Sequence, residues 1–198
     1  MNTFVNSNDA RAIAQLHHQT INDGFLPKLG IPFLQSLYKF LIKKELVLAF
    51  RENKKILGFV SCAISSKGIM KRFLFSSPIG IIQLLIAIVR KPSLIIPLWE
   101  TFRAPSLSHS TNNEDIPETE LLSICVSLET QQGGIGCRLI NELGKELRNR
   151  KINRYKVIAG ANLNGANRFY IKNGFKFSKQ ITIHGNDLSN VYIKEILY

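Results

Sequence analysis

A chain of 198 residues with 45% hydrophobic content can bury one sizeable core and is short for two independent ones. The balance of 26 Lys and Arg against 14 Asp and Glu gives a formal charge of +12, which favours an anionic partner such as a nucleotide cofactor, nucleic acid or an acidic membrane surface. Three cysteines, Cys62, Cys125 and Cys137, lack CxxC spacing, and four histidines have no metal-ligand spacing, so a disulfide framework and a metal site are both excluded and a reduced, cytoplasmic setting is expected.

Met1 to Asn6 has neither a basic n-region nor a long apolar run, so no secretory signal is expected. Thr3 to Val5 reads as a short strand, and Asn6-Ser7-Asn8-Asp9 caps a helix with Ala10, Ile13, Ala14 and Leu16 on its apolar side. After a break from Gly24 to Gly30, Phe33, Leu34, Leu37, Tyr38, Leu41 and Ile42 recur at helical spacing. Leu46–Phe50 and Ile56–Ile64 form a hairpin around the polar stretch 51–55, with Gly58 and Gly68 expected to soften its ends. Residues 66–118 are irregular and punctuated by prolines, of which Pro78 and Pro92 mark helix starts. Residues 106–118 read as a loop. Leu121–Leu128 is a strand that runs into a glycine-rich turn and an amphipathic helix bearing Ile135, Leu139, Ile140, Leu143 and Leu147. Tyr155–Ala159 is a strand, 165–173 a short helix, and Phe175–Ile183 and Val191–Leu197 the last strands. The expected order is βααββ, insert, βαβαββ.

Gln131-x-x-Gly134-x-Gly136, between strand and helix, offers unpaired backbone N–H groups and a helix N-terminus, a nest that attracts phosphate. A Cβ at Gly134 or Gly136 would block the dihedrals needed or hold the phosphate away. A Walker A loop is excluded because Gly136-Cys137-Arg138 stands where Gly-Lys-Ser/Thr is required. A Rossmann fingerprint is excluded because its third glycine would fall on Leu139, and no acid follows the next strand.

This loop, with its leading strand from Glu120 to Gln131, resembles the coenzyme motif of the GNAT acetyltransferase superfamily. The segment Asn164 to Phe175 resembles that family's Asn…Ala…Phe-Tyr…Gly-Phe block at the right separation. The likeness is strong over residues 119–180 and rests on element order over the first 65. Leu128 and Gln132 depart from the residues common there, proline and glycine. The resemblance implies an α/β fold with a mixed central sheet, splayed fourth and fifth strands and flanking helices; length implies one domain over residues 1–198, and the helical insert at 66–118 sets the chain apart from a minimal member of that family. The resemblance also implies acetyl-CoA as acyl donor, without a metal.

By that resemblance, Ile124, Cys125 and Val126 would pair with the pantetheine arm through their main chain, and the Val126 amide would polarise the thioester carbonyl. Gln131, Gln132, Gly133, Gly134, Ile135, Gly136 and Cys137 would hold the pyrophosphate, and Asn164 and Asn167 would hydrogen-bond the coenzyme. Tyr170 would protonate the leaving thiolate. Glu120 is the base, acting through water, or a solvated charge at a strand end. For Cys137 no catalysis is expected. His17 or His18 could face the acceptor, although exposed surface positions are the plainer reading.

Between Lys67 and Arg103, six basic residues flank an apolar middle against the single Glu100. Ile79 to Val89 is shorter than the ~20 residues that span a bilayer. The insert reads as a helical lid packed on its own core or on a partner subunit, or as a helix lying on an anionic membrane through residues 69–103. The acceptor is expected to be a small-molecule amine, an amino sugar of a surface glycan, free or linked to a nucleotide or lipid. A basic nucleic-acid-binding module and a coenzyme-binding domain without catalysis are the alternatives. No nucleic acid is expected, because the aromatics fall at apolar-periodic positions.

Overall fold

The computed structural model describes residues 5–21, 25–95, 116–184 and 187–196. The strand expected at residues 3–5 lies outside them except for Val5. A capping box at Asn6, whose side chain accepts from the Asn8 amide while Asp9 accepts from the Asn6 amide, opens a 3-10 turn into α1 (Ala10–Thr20). Asp9 also meets Arg51 at 2.5 Å, which ties this turn to the first hairpin. Burial acts to raise the Asp9 carboxyl, but the Arg51 and Asn6 donors outweigh it and leave it below the usual carboxylate range.

A single turn, α2 (Phe25–Lys28), lies in the expected break, and α3 (Ile31–Lys44) follows. The hairpin is β1 (Leu46–Glu52) and β2 (Lys55–Ala63), closed by Asn53 and Lys54, both at positive φ as a two-residue turn requires. Gly58 is not a soft end. It sits within β2, where a Cβ would come within 3.0 Å of the Cys125 carbonyl and of the Ile135 side chain.

The insert begins with α4 (Ile69–Ser76) and α5 (Pro78–Arg90), and Ser77 caps α5 by accepting from the Gly80 amide. Phe73 docks α4 edge-on against Phe33 of α3, with ring centroids 5.4 Å apart. The chain then forms β3 (Glu120–Val126), α6 (Ile135–Asn149), β4 (Arg154–Gly160), α7 (Asn164–Lys172), β5 (Lys176–His184) and β6 (Asp187–Glu195).

Six strands make one mixed sheet in the order β1-β2-β3-β4-β6-β5. One face packs on α1, α3 and the insert through Ile13, Leu34, Tyr38, Phe59 and Phe73. The other packs on α6 and α7 through Leu139, Leu143, Val60, Leu121 and Tyr155. This is the mixed α/β layering expected. An insert enclosed on several sides was also expected, and the described residues depart from it. Only Gly80, Leu84 and Ala87 of α5 are buried, a stripe at helical spacing, and the opposite face is exposed.

Candidate functional site

The site is built on the divergence of β3 and β4. They pair in parallel only at Glu120↔Lys156 and Leu121↔Val157, although both strands run several residues further. The divergence starts at a bulge: Ser61 pairs with Ser123 and Cys62 with Leu121, which leaves Leu122 unmatched and bends β3. Beyond it, Ile124, Cys125 and Val126 pair with Val60, Phe59 and Gly58 on the other side of β3. Their edge towards β4 has no ladder, so an extended group could hydrogen-bond there as an added strand does.

At the mouth of this gap a 3-10 turn (Leu128–Thr130) leads into the loop. Gln132 and Gly134 are both left-handed, at φ 70° and 75°, and residues 131–134 are exposed. Gln132 therefore holds by strain the conformation that glycine adopts freely. Gly134 is the N-cap of α6 and no side chain caps the helix, which leaves the first-turn amides open to an anion. The Gln131 side chain donates to the Val126 carbonyl at 3.3 Å and fastens the loop to the strand. The Ile135 side chain is buried and Cys137 is half-buried in the first turn.

Gly134 and Gly136 serve different ends. A Cβ on Gly134 meets nothing, so its dihedral is the constraint. One on Gly136 would lie 3.0 Å from the Phe169 ring, so that glycine lets α6 approach α7. The phosphate-clearance argument from the sequence is thus replaced at Gly136 by helix packing. Alternating left-handed residues before an uncapped helix fit a coenzyme pyrophosphate, and the open edge of β3 fits its extended arm.

Tyr170, on α7, is 7% exposed. Its ring packs edgewise on Phe169 and Phe175, with centroids 5.5 and 5.4 Å away. Burial pushes its phenol above the ordinary tyrosine range, and the Cys125 thiol adds in the same direction, so the two groups are electrostatic neighbours. Burial pushes Cys125 itself up to about 12, against a hydrogen bond with Thr20.

Asn167 is spent internally. Its Nδ2 donates to the carbonyls of Gly160 (2.9 Å) and Leu163 (2.8 Å), and its Oδ1 accepts from Asn190 (3.0 Å) and the Tyr192 hydroxyl (2.8 Å). It pins the end of β4 to α7 and has no spare donor for the coenzyme contact expected of it. Asn164 is exposed at the start of α7.

Glu120 is not a solvated charge. Its side chain is 17% exposed and lies 3.4 Å from the Lys156 ammonium. Lys156 is itself buried, and its Nζ donates to the Pro117 carbonyl at 2.7 Å and to the Ser66 hydroxyl at 3.1 Å. Glu120 stands six residues before Val126, roughly 20 Å along an extended strand, so any proton it takes from that end must travel through a relay.

His17 corrects the expectation of a surface histidine: it is 2% exposed, while His18 is exposed. Its Nδ1 lies 2.5 Å from the Tyr38 hydroxyl, and its ring stacks near Phe59. Burial pushes the Tyr38 phenol well up, and the nearby Ser123 and Ser61 side chains act against it. The signal was in the sequence, since His17 continues the Ala10, Ile13 stripe of α1.

Burial, with the charge of His18 behind it, lowers His17 to about 4. Unfolded, it titrates near ~6.5, so folding stability should be fully present above that and drain as pH falls from there towards 4. Melts at pH 7 and pH 4.5 are expected to differ, and His17→Gln to shrink that difference. An unchanged difference would remove His17 as its source.

Among known proteins, the model of the "Acetyltransferase (GNAT) domain" family matches residues 110–186. No curated protein matches the chain. Similar solved structures include PaiA N-acetyltransferase from Thermoplasma acidophilum in complex with coenzyme A, at 13% identity and TM-score 0.60 over 97% of this chain and 96% of that one. A ribosomal-protein-alanine N-acetyltransferase from Brucella melitensis is 16% identical with TM-score 0.60 over 97% of each chain. Aminoglycoside 6'-acetyltransferase type Ii is 14% identical with TM-score 0.61 over 98% and 96%. The last two are named for different acceptors, so the likeness carries the fold and not the acceptor.

Proposed function

We propose that this chain is a GNAT acetyltransferase and that it moves an acetyl group from acetyl-CoA to the primary amine of an amino sugar, free or linked to a nucleotide or lipid. The reading takes residues 1–198 as one catalytic domain with residues 66–118 as its insert. The observation that carries it is the gap between β3 and β4 with the left-handed loop at its mouth.

Acetyl-CoA supplies the acetyl group as an activated thioester. The amides of Gln132, Gly133, Gly134, Ile135, Gly136 and Cys137, with the Gln131 side chain steadying the loop, hold the pyrophosphate at the α6 N-terminus. Ile124, Cys125 and Val126 hold the arm through their main chain, and the Val126 amide stabilises negative charge developing on the thioester oxygen. The Tyr170 hydroxyl donates its proton to the leaving sulfur, and burial keeps it protonated for that purpose. Glu120 takes the amine proton through water. Asn164 stands at the exposed start of α7, where a coenzyme hydroxyl or phosphate can reach it. The acceptor enters between residues 17–30 and the insert, whose basic residues suit an anionic carrier.

Release of free thiol, measured over a panel of amines, tests the acceptor. Amino sugars linked to a nucleotide are expected to be turned over in preference to polyamines and peptides. Efficient acetylation of polyamines or peptides with none of an amino-sugar nucleotide would sink the acceptor assignment and keep the acetyltransferase.

A further inference from the structure

The face of α5 turned away from the core is apolar. Ile79, Ile82, Leu85, Ile86 and Val89 are exposed along it, Val89 at 80%, and Phe75 of α4 is 89% exposed. Isolated exposed apolar residues need no explanation, but five on one face of a helix do. Residues 66–95 contain five basic side chains, Lys67, Lys71, Arg72, Arg90 and Lys91, and no acid. Next to them, Lys39 and Lys43 of α3 line a cleft of about 460 Å³ together with Ile79 and Gln83.

We propose that this face docks onto an anionic lipid bilayer, with α5 lying in the interface and the α3 lysines against the headgroups. Charge chooses the occupant. A second copy would set the same basic rim against itself, whereas anionic headgroups complement it. Geometry chooses the pose. At 1.5 Å per residue the 13 residues of α5 reach about 20 Å, short of a hydrocarbon core of about 30 Å. No single described helix is long and apolar enough to cross, and α4 and α5 meet at 109° rather than forming one span. A short helix with one buried stripe, an apolar outer face and basic flanks lies on a membrane rather than through it.

The test is sedimentation of the purified full chain with phosphatidylcholine vesicles, with and without phosphatidylglycerol, at low and high salt. Binding is expected to be at least tenfold tighter to the anionic vesicles and to weaken with salt. Each lysine near the surface contributes about a fivefold factor, so Lys39→Glu with Lys43→Glu should weaken binding more than tenfold. Ile82→Ser with Leu85→Ser should do the same, while thermal unfolding stays within a degree or two because all four side chains are exposed. Absent binding, equal binding to both vesicle types, or binding indifferent to both double variants would overturn the proposal. So would a stable dimer in light scattering that Ile82→Ser with Leu85→Ser dissociates, which would give the face to a second copy.

Discussion

Tyr170→Phe is expected to lower turnover about 10²- to 10³-fold, the usual loss when a positioned proton donor is removed, while the dissociation constant for coenzyme A changes less than twofold. The separation follows from the packing. The Tyr170 ring is held by Phe169, Phe175 and Tyr192, and phenylalanine keeps those contacts. The loop proposed to hold the pyrophosphate lies on another element and does not depend on the hydroxyl. Burial raises the phenol, so this donor should cause no alkaline loss of turnover below pH 10. Steady-state thiol release and calorimetric titration with coenzyme A read the two quantities separately. Turnover within threefold of the parent would remove Tyr170 as the donor. Coenzyme binding without thiol release by the parent, across the amine panel, would favour a binding domain without catalysis.

The second large effect is on stability. Lys156→Ala is expected to cost about 3–5 kcal/mol, because removing one partner of a buried pair strands the other charge. The Glu120 carboxylate would remain 17% exposed with its cation gone, and the Pro117 carbonyl and Ser66 hydroxyl would lose their donor. In a protein whose whole stability is of the order of 5–15 kcal/mol, this is a major loss, and urea unfolding would measure it. Glu120→Gln separates the two roles of the carboxylate. If Glu120 is the base, the folded variant loses turnover at neutral pH. If it only neutralises Lys156, turnover survives and the midpoint of unfolding drops. Lys156→Ala within 1 kcal/mol of the parent would show that the pair is not a structural clamp.

The strand, turn and helix of the candidate loop were readable in the sequence because their geometry is local. A strand, a turn with glycine at two set positions and a helix N-terminus occupy residues 120–149, and backbone amides hold a phosphate whatever the distant chain does. The hairpin turn within the polar stretch 51–55 and the helix start at Pro78 were legible for the same reason. Gly58 was misread because a glycine inside a strand looks the same whether it loosens an end or admits a neighbour. Only the position of Cys125 and Ile135 against it decides.

Contacts between elements were not legible. Asn167 has the residue type of a coenzyme contact, but Gly160, Leu163, Asn190 and Tyr192 take up its amide, and three of these come from strands elsewhere in the sequence. His17 and Glu120 follow the same pattern, each meeting a partner more than 20 residues away. For the insert, the prolines gave the helix starts, and composition gave the basic flanks. Which side of α5 faces the core is settled by Phe73 and Gly80, where α4 and α5 pack closely enough that a Cβ at Gly80 would strike the Phe73 ring. By itself, then, the sequence determined the elements and the glycine-rich turn between β3 and α6, which depend on neighbours along the chain. Burial, ion pairing and the divergence of β3 from β4 were decided by the tertiary structure alone, since each is a property of surfaces that meet only after folding.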